Sequence, residues 1–124
     1  MALASTLPIY RVTYELLQVV TRITKDMPRD YKQSLGGKIR EECVELTVLI
    51  YRANCSRDKR PHLETLQEHL QVATLLLRLS KDMRLISTGQ FAQTVELTDQ
   101  IGRQASGWLK SASSPAASAA KTSR

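Results

Sequence analysis

The chain has 124 residues, a mass of 13.9 kDa and a formal net charge of +6, from 18 Lys and Arg against 12 Asp and Glu. This length suits one compact domain with a buried core and excludes a division into two. Only 5% of the residues are aromatic, and the chain has only five glycines and four prolines, the residues that most favour turns. The composition therefore favours an all-α fold over a β-sandwich or barrel. The positive charge favours a polyanionic partner, and a basic protein without one is the alternative.

The sequence predicts a cytoplasmic protein without membrane association. No apolar run approaches the ~20 residues that span a bilayer, and the N terminus lacks the charged start of an export signal. Cys43 and Cys55 are twelve positions apart in one predicted helix, a distance of ~18 Å that excludes a disulfide between them. In the cytoplasm both thiols are expected to stay reduced.

Apolar residues recur with the 3.6-residue period of an α-helix in four segments. The first predicted helix covers about residues 8–27, with Thr6 as its N-cap, Pro8 in its first turn and Pro28 after its end. Residues 1–6 form an N-terminal extension.

The second predicted helix covers about residues 29–54 and continues across Gly36 and Gly37. Its apolar stripe, which includes Tyr31, Leu35 and Ile39, keeps its phase across the two glycines. A helix that begins only at Gly37 is the alternative. Both glycines are expected to project away from the core stripe, and replacing both with Ala is expected to stabilise the helix.

The third predicted helix extends from Pro61 to about Ile86, and the fourth carries an apolar side from Phe91 to Leu109. Short connections between long helices predict antiparallel neighbours, hence an up-down four-helix bundle over residues 7–110. Residues 111–124 contain only Ala as apolar content and are expected to form a disordered tail.

Two predicted helices carry a second apolar face that a monomeric bundle does not need. Such a face favours burial against another subunit, and a helix wedged between two neighbours of the same bundle is the alternative. The predicted oligomer interface consists of Val44, Val48 and Tyr51 on the second helix, and of Val72, Leu75, Leu76, Leu79 and Met83 on the third.

Cations that could neutralise phosphates are distributed over the first three helices and one loop. The candidate contacts with nucleic acid or a partner are Arg11, Arg22, Lys25, Arg29, Lys32, Lys38, Arg40, Arg57, Lys59, Arg60, Arg78, Lys81 and Arg84. A solvated helix face would look the same, and an oligomer would multiply these patches by symmetry. No zinc finger, helix-turn-helix or aromatic RNA-binding signature indicates base reading.

The residue spacing supports no catalytic, cofactor or metal site. The "GGK" sequence does not form a Walker loop, because no Gly lies five positions before Gly37 and Ile39 stands where that motif has Ser or Thr. His62 and His69 are seven positions apart, about 10.5 Å along a helix, which is too far to share a metal as an i,i+4 pair does. The carboxylates of "REECVE", residues 40–45, fit a solvated and paired helix face.

Five segments together resemble the Avd (accessory variability determinant) proteins of diversity-generating retroelements, and the resemblance is close to a phage-encoded member of that family. They are "LPIYRVTYELL" at residues 7–17, "MPRDYKQSLGGKIREE" at 27–42, "LIYRAN" at 49–54, "LLLRLSKDMRLIS" at 75–87 and "IGRQASGWLK" at 101–110. The likeness covers about residues 7–110. Four-helix proteins encoded within bacterial large-subunit ribosomal RNA genes share the architecture, but "RANCSRDKR" at residues 52–60 departs from their pattern.

The resemblance implies a four-helix bundle that assembles into a homopentameric barrel, binds RNA or DNA and associates with the element's reverse transcriptase during mutagenic retrohoming. It also implies a protein without catalytic chemistry of its own. The alternative is a protein-protein adaptor whose cations match acidic patches on a partner.

Overall fold

The computed structural model describes residues 3–113, which form four long α-helices, one single-turn α-helix and a 3₁₀ turn at Ala4–Thr6. The long helices are α1 (Pro8–Thr24), α3 (Leu35–Cys55), α4 (Arg60–Asp82) and α5 (Thr88–Ala112). The single-turn helix α2 (Arg29–Lys32) lies in the connection between α1 and α3.

The long helices pack as an antiparallel bundle. Helices α1 and α4 each contact both α3 and α5, so α1 and α4 lie on one diagonal. Between α4 and α5, Gln67 donates a hydrogen bond to Ser106, and Lys81 lies over the ring of Phe91. Residue numbers therefore rise along one helix as they fall along its neighbour, which confirms the predicted four-helix bundle.

Each long helix places one apolar stripe in a common core. The largest side chains there are almost completely shielded from solvent, and burying each one contributes roughly 1.5–3 kcal/mol. They include Leu16, Ile39, Leu46, Ile50, Leu63, Leu66, Leu77 and Ile101. No helix within residues 3–113 has the length and apolarity to cross a bilayer.

The predicted start of the second helix, at about Arg29, was wrong. Gln33 and Ser34 form a turn that separates α2 from α3, and the Ser34 hydroxyl donates to the Asp30 carbonyl at 3.0 Å. This local bond competes with helix propagation. Helix α3 then continues through Gly36 and Gly37, as predicted, while Tyr31 in α2 is exposed and does not join the core.

Helix α1 also differs from the prediction at both ends. Leu7 is its N-cap residue and makes no side-chain cap bond, whereas the Thr6 hydroxyl donates back to Leu3 within the 3₁₀ turn. The helix ends at Thr24, three residues before Met27. At the other end of the chain, α5 extends to Ala112, and residues 114–124 of the predicted tail lie outside the described part.

Gly36 faces α1 and is buried, contrary to the predicted orientation away from the core. A Cβ atom added there would lie 3.2 Å from Thr24 Cβ and 3.5 Å from Met27 Sδ. Gly37 has room, since its added Cβ would meet only an Arg40 nitrogen at 3.7 Å. The absence of a side chain at Gly36 therefore lets α3 approach the end of α1.

Helix α4 ends at Asp82, before the predicted end near Ile86, in a Schellman motif. The backbone N–H of Leu85 donates to the Ser80 carbonyl at 2.8 Å, and that of Arg84 donates to Lys81 at 2.9 Å. Arg84 has a φ of 61°, a left-handed conformation that costs a non-glycine residue roughly 1–2 kcal/mol. Ser87 then caps α5 through a reciprocal capping box with Gln90.

The two adjacent glycines are expected to respond oppositely to Ala. Gly37→Ala should raise the free energy of unfolding by about 0.5–1 kcal/mol, because the helical backbone loses less entropy on folding. Gly36→Ala should lower it by about 1 kcal/mol, because overpacking against α1 outweighs that gain. Thermal denaturation of the two variants provides the test, and an equal rise in Tm for both would contradict the close approach at Gly36.

Candidate nucleic-acid interface

Antiparallel packing gathers two groups of predicted cations at one end of the bundle. The end of α1, helix α2, the start of α3, the end of α4 and the start of α5 all lie there. We call this end the basic end. Its first cation group is Arg22, Lys25, Arg29 and Lys32, and its second is Arg78, Lys81 and Arg84.

Other predicted cations do not join this surface. The loop that carries Arg57, Lys59 and Arg60 connects α3 to α4 at the opposite end of the bundle. Arg11 is fourteen residues before Lys25 in the chain, about 21 Å along the axis of α1. The predicted binding residues therefore occupy at least two separate regions.

Six cations of the basic end remain available to a ligand. They are exposed and make no ion pair or side-chain hydrogen bond within residues 3–113: Arg22, Lys25, Arg29, Lys32, Arg78 and Arg84. The carboxylates of Asp26, Asp30 and Asp82 lie among the cations, and Asp82 pairs with Lys81 at 3.4 Å. The basic end thus keeps an excess of positive charge, which suits a polyanion.

Arg40 has a structural role that the sequence pattern did not reveal. Its Nη1 donates to the hydroxyl of fully buried Thr24 at 2.7 Å, and its Nη2 lies 3.4 Å from the Lys32 carbonyl. The guanidinium therefore ties α1 and α2 to α3. We interpret Arg40 as a positioning residue for the first cation group.

Four more predicted contact residues are engaged within the chain. Lys59 donates to the Ala53 and Ser56 carbonyls at 2.9 Å and thereby caps α3. Arg60 donates to Asp58 at 3.2 Å, which raises the pKa of Arg60 above its usual value. The other two are Lys38, 3.4 Å from Glu42, and Lys81, 4.9 Å above the Phe91 ring.

Sequence reasoning missed a buried carboxylate. Glu42 is buried, hydrogen-bonded to His69 of α4 and paired with Lys38, so it does not belong to a solvated helix face. Its position three residues after buried Ile39 was the available signal, because that spacing places both on one side of a helix. The pKa of Cys43 is raised from 9.0 to about 12, mainly by burial and to a smaller extent by the nearby negative charge of Glu42. This thiol is therefore unreactive.

The predicted oligomer residues form two exposed apolar patches. On α3, Val44 and Tyr51 are exposed, the latter by 59%. On α4, the patch centres on Leu75, which is 64% exposed, and includes Leu79 and the C-cap residue Met83. Three predicted interface residues are half-buried instead: Val48, Val72 and Leu76, of which Leu76 packs against the core.

The fold and these surfaces define a helical-bundle protein with a cationic end and two uncovered apolar patches. The chain matches the model of the bAvd-like family over residues 8–112. It therefore belongs to the bAvd-like family and is an Avd-type protein, as the resemblance of its sequence segments indicated. No similarity to a curated protein accompanies this match.

Arg40→Met is expected to lower the free energy of unfolding by about 1–2 kcal/mol, because the buried Thr24 hydroxyl loses a charged hydrogen-bond donor. The matched variant Arg22→Met removes an exposed cation without a partner and should change stability by less than ~0.5 kcal/mol. Chemical denaturation compares the two. Equal stability of both variants would show that Arg40 does not hold α1 and α3 together.

Proposed function

We propose that this protein is the non-catalytic accessory component of a diversity-generating retroelement in a bacterial cytoplasm. In this role it binds RNA or DNA and the element's reverse transcriptase, and it supports mutagenic retrohoming. Membership of the bAvd-like family supports the biological setting. The observation that carries nucleic-acid binding is the set of six exposed and unpaired cations at the basic end.

These cations suit contacts with phosphates more than contacts with bases. Each Lys or Arg that neutralises a phosphate releases a counterion, which makes affinity depend on salt and only weakly on sequence. The cations lie on the ends of helices and on two connections. They therefore form a surface that faces phosphates, and they do not line one recognition helix of the kind that enters a DNA groove. We therefore expect binding to many sequences with similar affinity.

The two apolar patches support a homo-oligomer, which we propose to be a pentamer on the strength of the family resemblance. The patches lie on different helices, so the α3 patch of one subunit can cover the α4 patch of the next. Such a head-to-tail contact generates a closed ring when the rotation between subunits closes. The ring would repeat the basic end once per subunit and so raise the local density of cations.

Neutralising the first cation group tests the function. Replacing Arg22, Lys25, Arg29 and Lys32 with Gln should weaken binding to a labelled single-stranded RNA by at least tenfold, because about four phosphates are no longer neutralised by the protein. The slope of log K against log salt should fall by about 0.7 for each of these phosphates. Fluorescence anisotropy at several salt concentrations measures both quantities.

A charge-matched control separates a local site from the effect of net charge. Replacing Arg52, Arg57, Arg103 and Lys110 with Gln also removes four exposed cations, from the half of the bundle opposite the basic end. This control should retain most of the affinity. Equal reductions in affinity for both variants would contradict a site at the basic end, and no binding by the unmodified protein at low salt would favour the adaptor alternative.

Leu75→Glu is expected to break the oligomer without unfolding the subunit, because the side chain is mostly exposed in the single chain. A charge buried between subunits without a partner strongly destabilises their contact. Light scattering after size exclusion should show a multiple of 13.9 kDa for the unmodified protein and a smaller species for the variant. A monomeric unmodified protein at micromolar concentration would overturn the assembly.

A further inference from the structure

One residue of the basic end has a backbone conformation that its side chain does not favour. Among residues 3–113, Arg84 is the only one other than glycine with a positive φ, at 61°. All five glycines of the chain lie within residues 3–113, and none of them has a positive φ. The chain therefore places an arginine where glycine is most common.

The local structure does not account for an arginine at this position. The Schellman motif at the end of α4 uses the backbone N–H groups of Arg84 and Leu85 and the carbonyls of Ser80 and Lys81. Glycine would make the same backbone bonds without the steric crowding between Cβ and its own backbone. The hydrophobic part of the motif is supplied by Leu85, which packs against the core.

The Arg84 side chain is exposed and makes no ion pair or side-chain hydrogen bond with any residue described here. Its nearest cation in sequence, Lys81, is engaged by Asp82 and by the Phe91 ring. Arg84 is thus a free guanidinium on the short connection between α4 and α5. Residues that the surrounding structure holds in a strained backbone conformation cluster at functional sites.

We propose that Arg84 contacts a phosphate and that the α4–α5 connection is a second element that binds the nucleic-acid strand, beside the first cation group. This inference rests on the proposed nucleic-acid function. A planar guanidinium donates two parallel hydrogen bonds to one phosphate, which lysine cannot do. The surface that binds the strand then extends from α2 to the connection between α4 and α5.

Arg84→Gly is the decisive variant, because it should improve the fold and impair binding. Removing the left-handed strain should raise Tm by about 2–5 °C, after allowance for the extra freedom of glycine in the unfolded chain. Affinity for a single-stranded RNA oligonucleotide should fall about three- to tenfold, and the salt slope should fall by about 0.7 for each phosphate that Arg84 neutralises in the parent. Weaker binding by a more stable protein cannot result from unfolding.

Two control variants isolate the cause. Arg84→Lys keeps the charge and the strain, so its Tm should be unchanged and its affinity should lie between those of the parent and Arg84→Gly. Arg103→Gln removes one exposed cation from the half of the bundle opposite the basic end and should change affinity by less than about twofold. Light scattering checks that the assembly of each variant has the mass of the parent.

The possible results are distinguishable. Parent-like RNA affinity of Arg84→Gly, a lower Tm, or an altered oligomer mass would each overturn the role of Arg84 while leaving the proposed function intact. Absence of RNA binding by the unmodified protein would defeat the proposed function, and the Arg84 role with it, before any variant is compared.

Discussion

The meeting point of Thr24, Gly36 and Arg40 governs how the basic end is built. Because Gly36 has no side chain, the start of α3 lies directly against the last turn of α1. Arg40 then donates to the buried Thr24 hydroxyl and approaches the Lys32 carbonyl, which fixes α2 beside both helices. The exposed cations of α1 and α2 depend on this joint for their position.

The cations of this protein divide into two classes that composition alone does not separate. One class holds the fold together: Arg40 joins three helices, and Lys59 caps α3. The other class is exposed and unpaired within residues 3–113, and it concentrates at the basic end. The net charge of +6 therefore understates the local positive potential at the basic end, where six unpaired cations are gathered.

The sequence predicted the four helices, their antiparallel order and most of the core, because the 3.6-residue period directly reports which side of a helix is buried. It could not reveal the orientation of Gly36 or the division of the cations, since these depend on contacts between helices. The burial of Glu42 was missed although its spacing from Ile39 indicated it. The break at Ser34 and the left-handed Arg84 were also missed, because each results from local hydrogen bonds that override the apolar period.

Photo-crosslinking of the protein to a single-stranded RNA, followed by mass spectrometry of the linked peptides, tests the central claim most directly. If the basic end binds the strand, crosslinks will concentrate in residues 22–34 and 78–87, and competing unlabelled RNA will remove them. Crosslinks concentrated in the loop at residues 56–60, or spread evenly over the surface, would contradict the account.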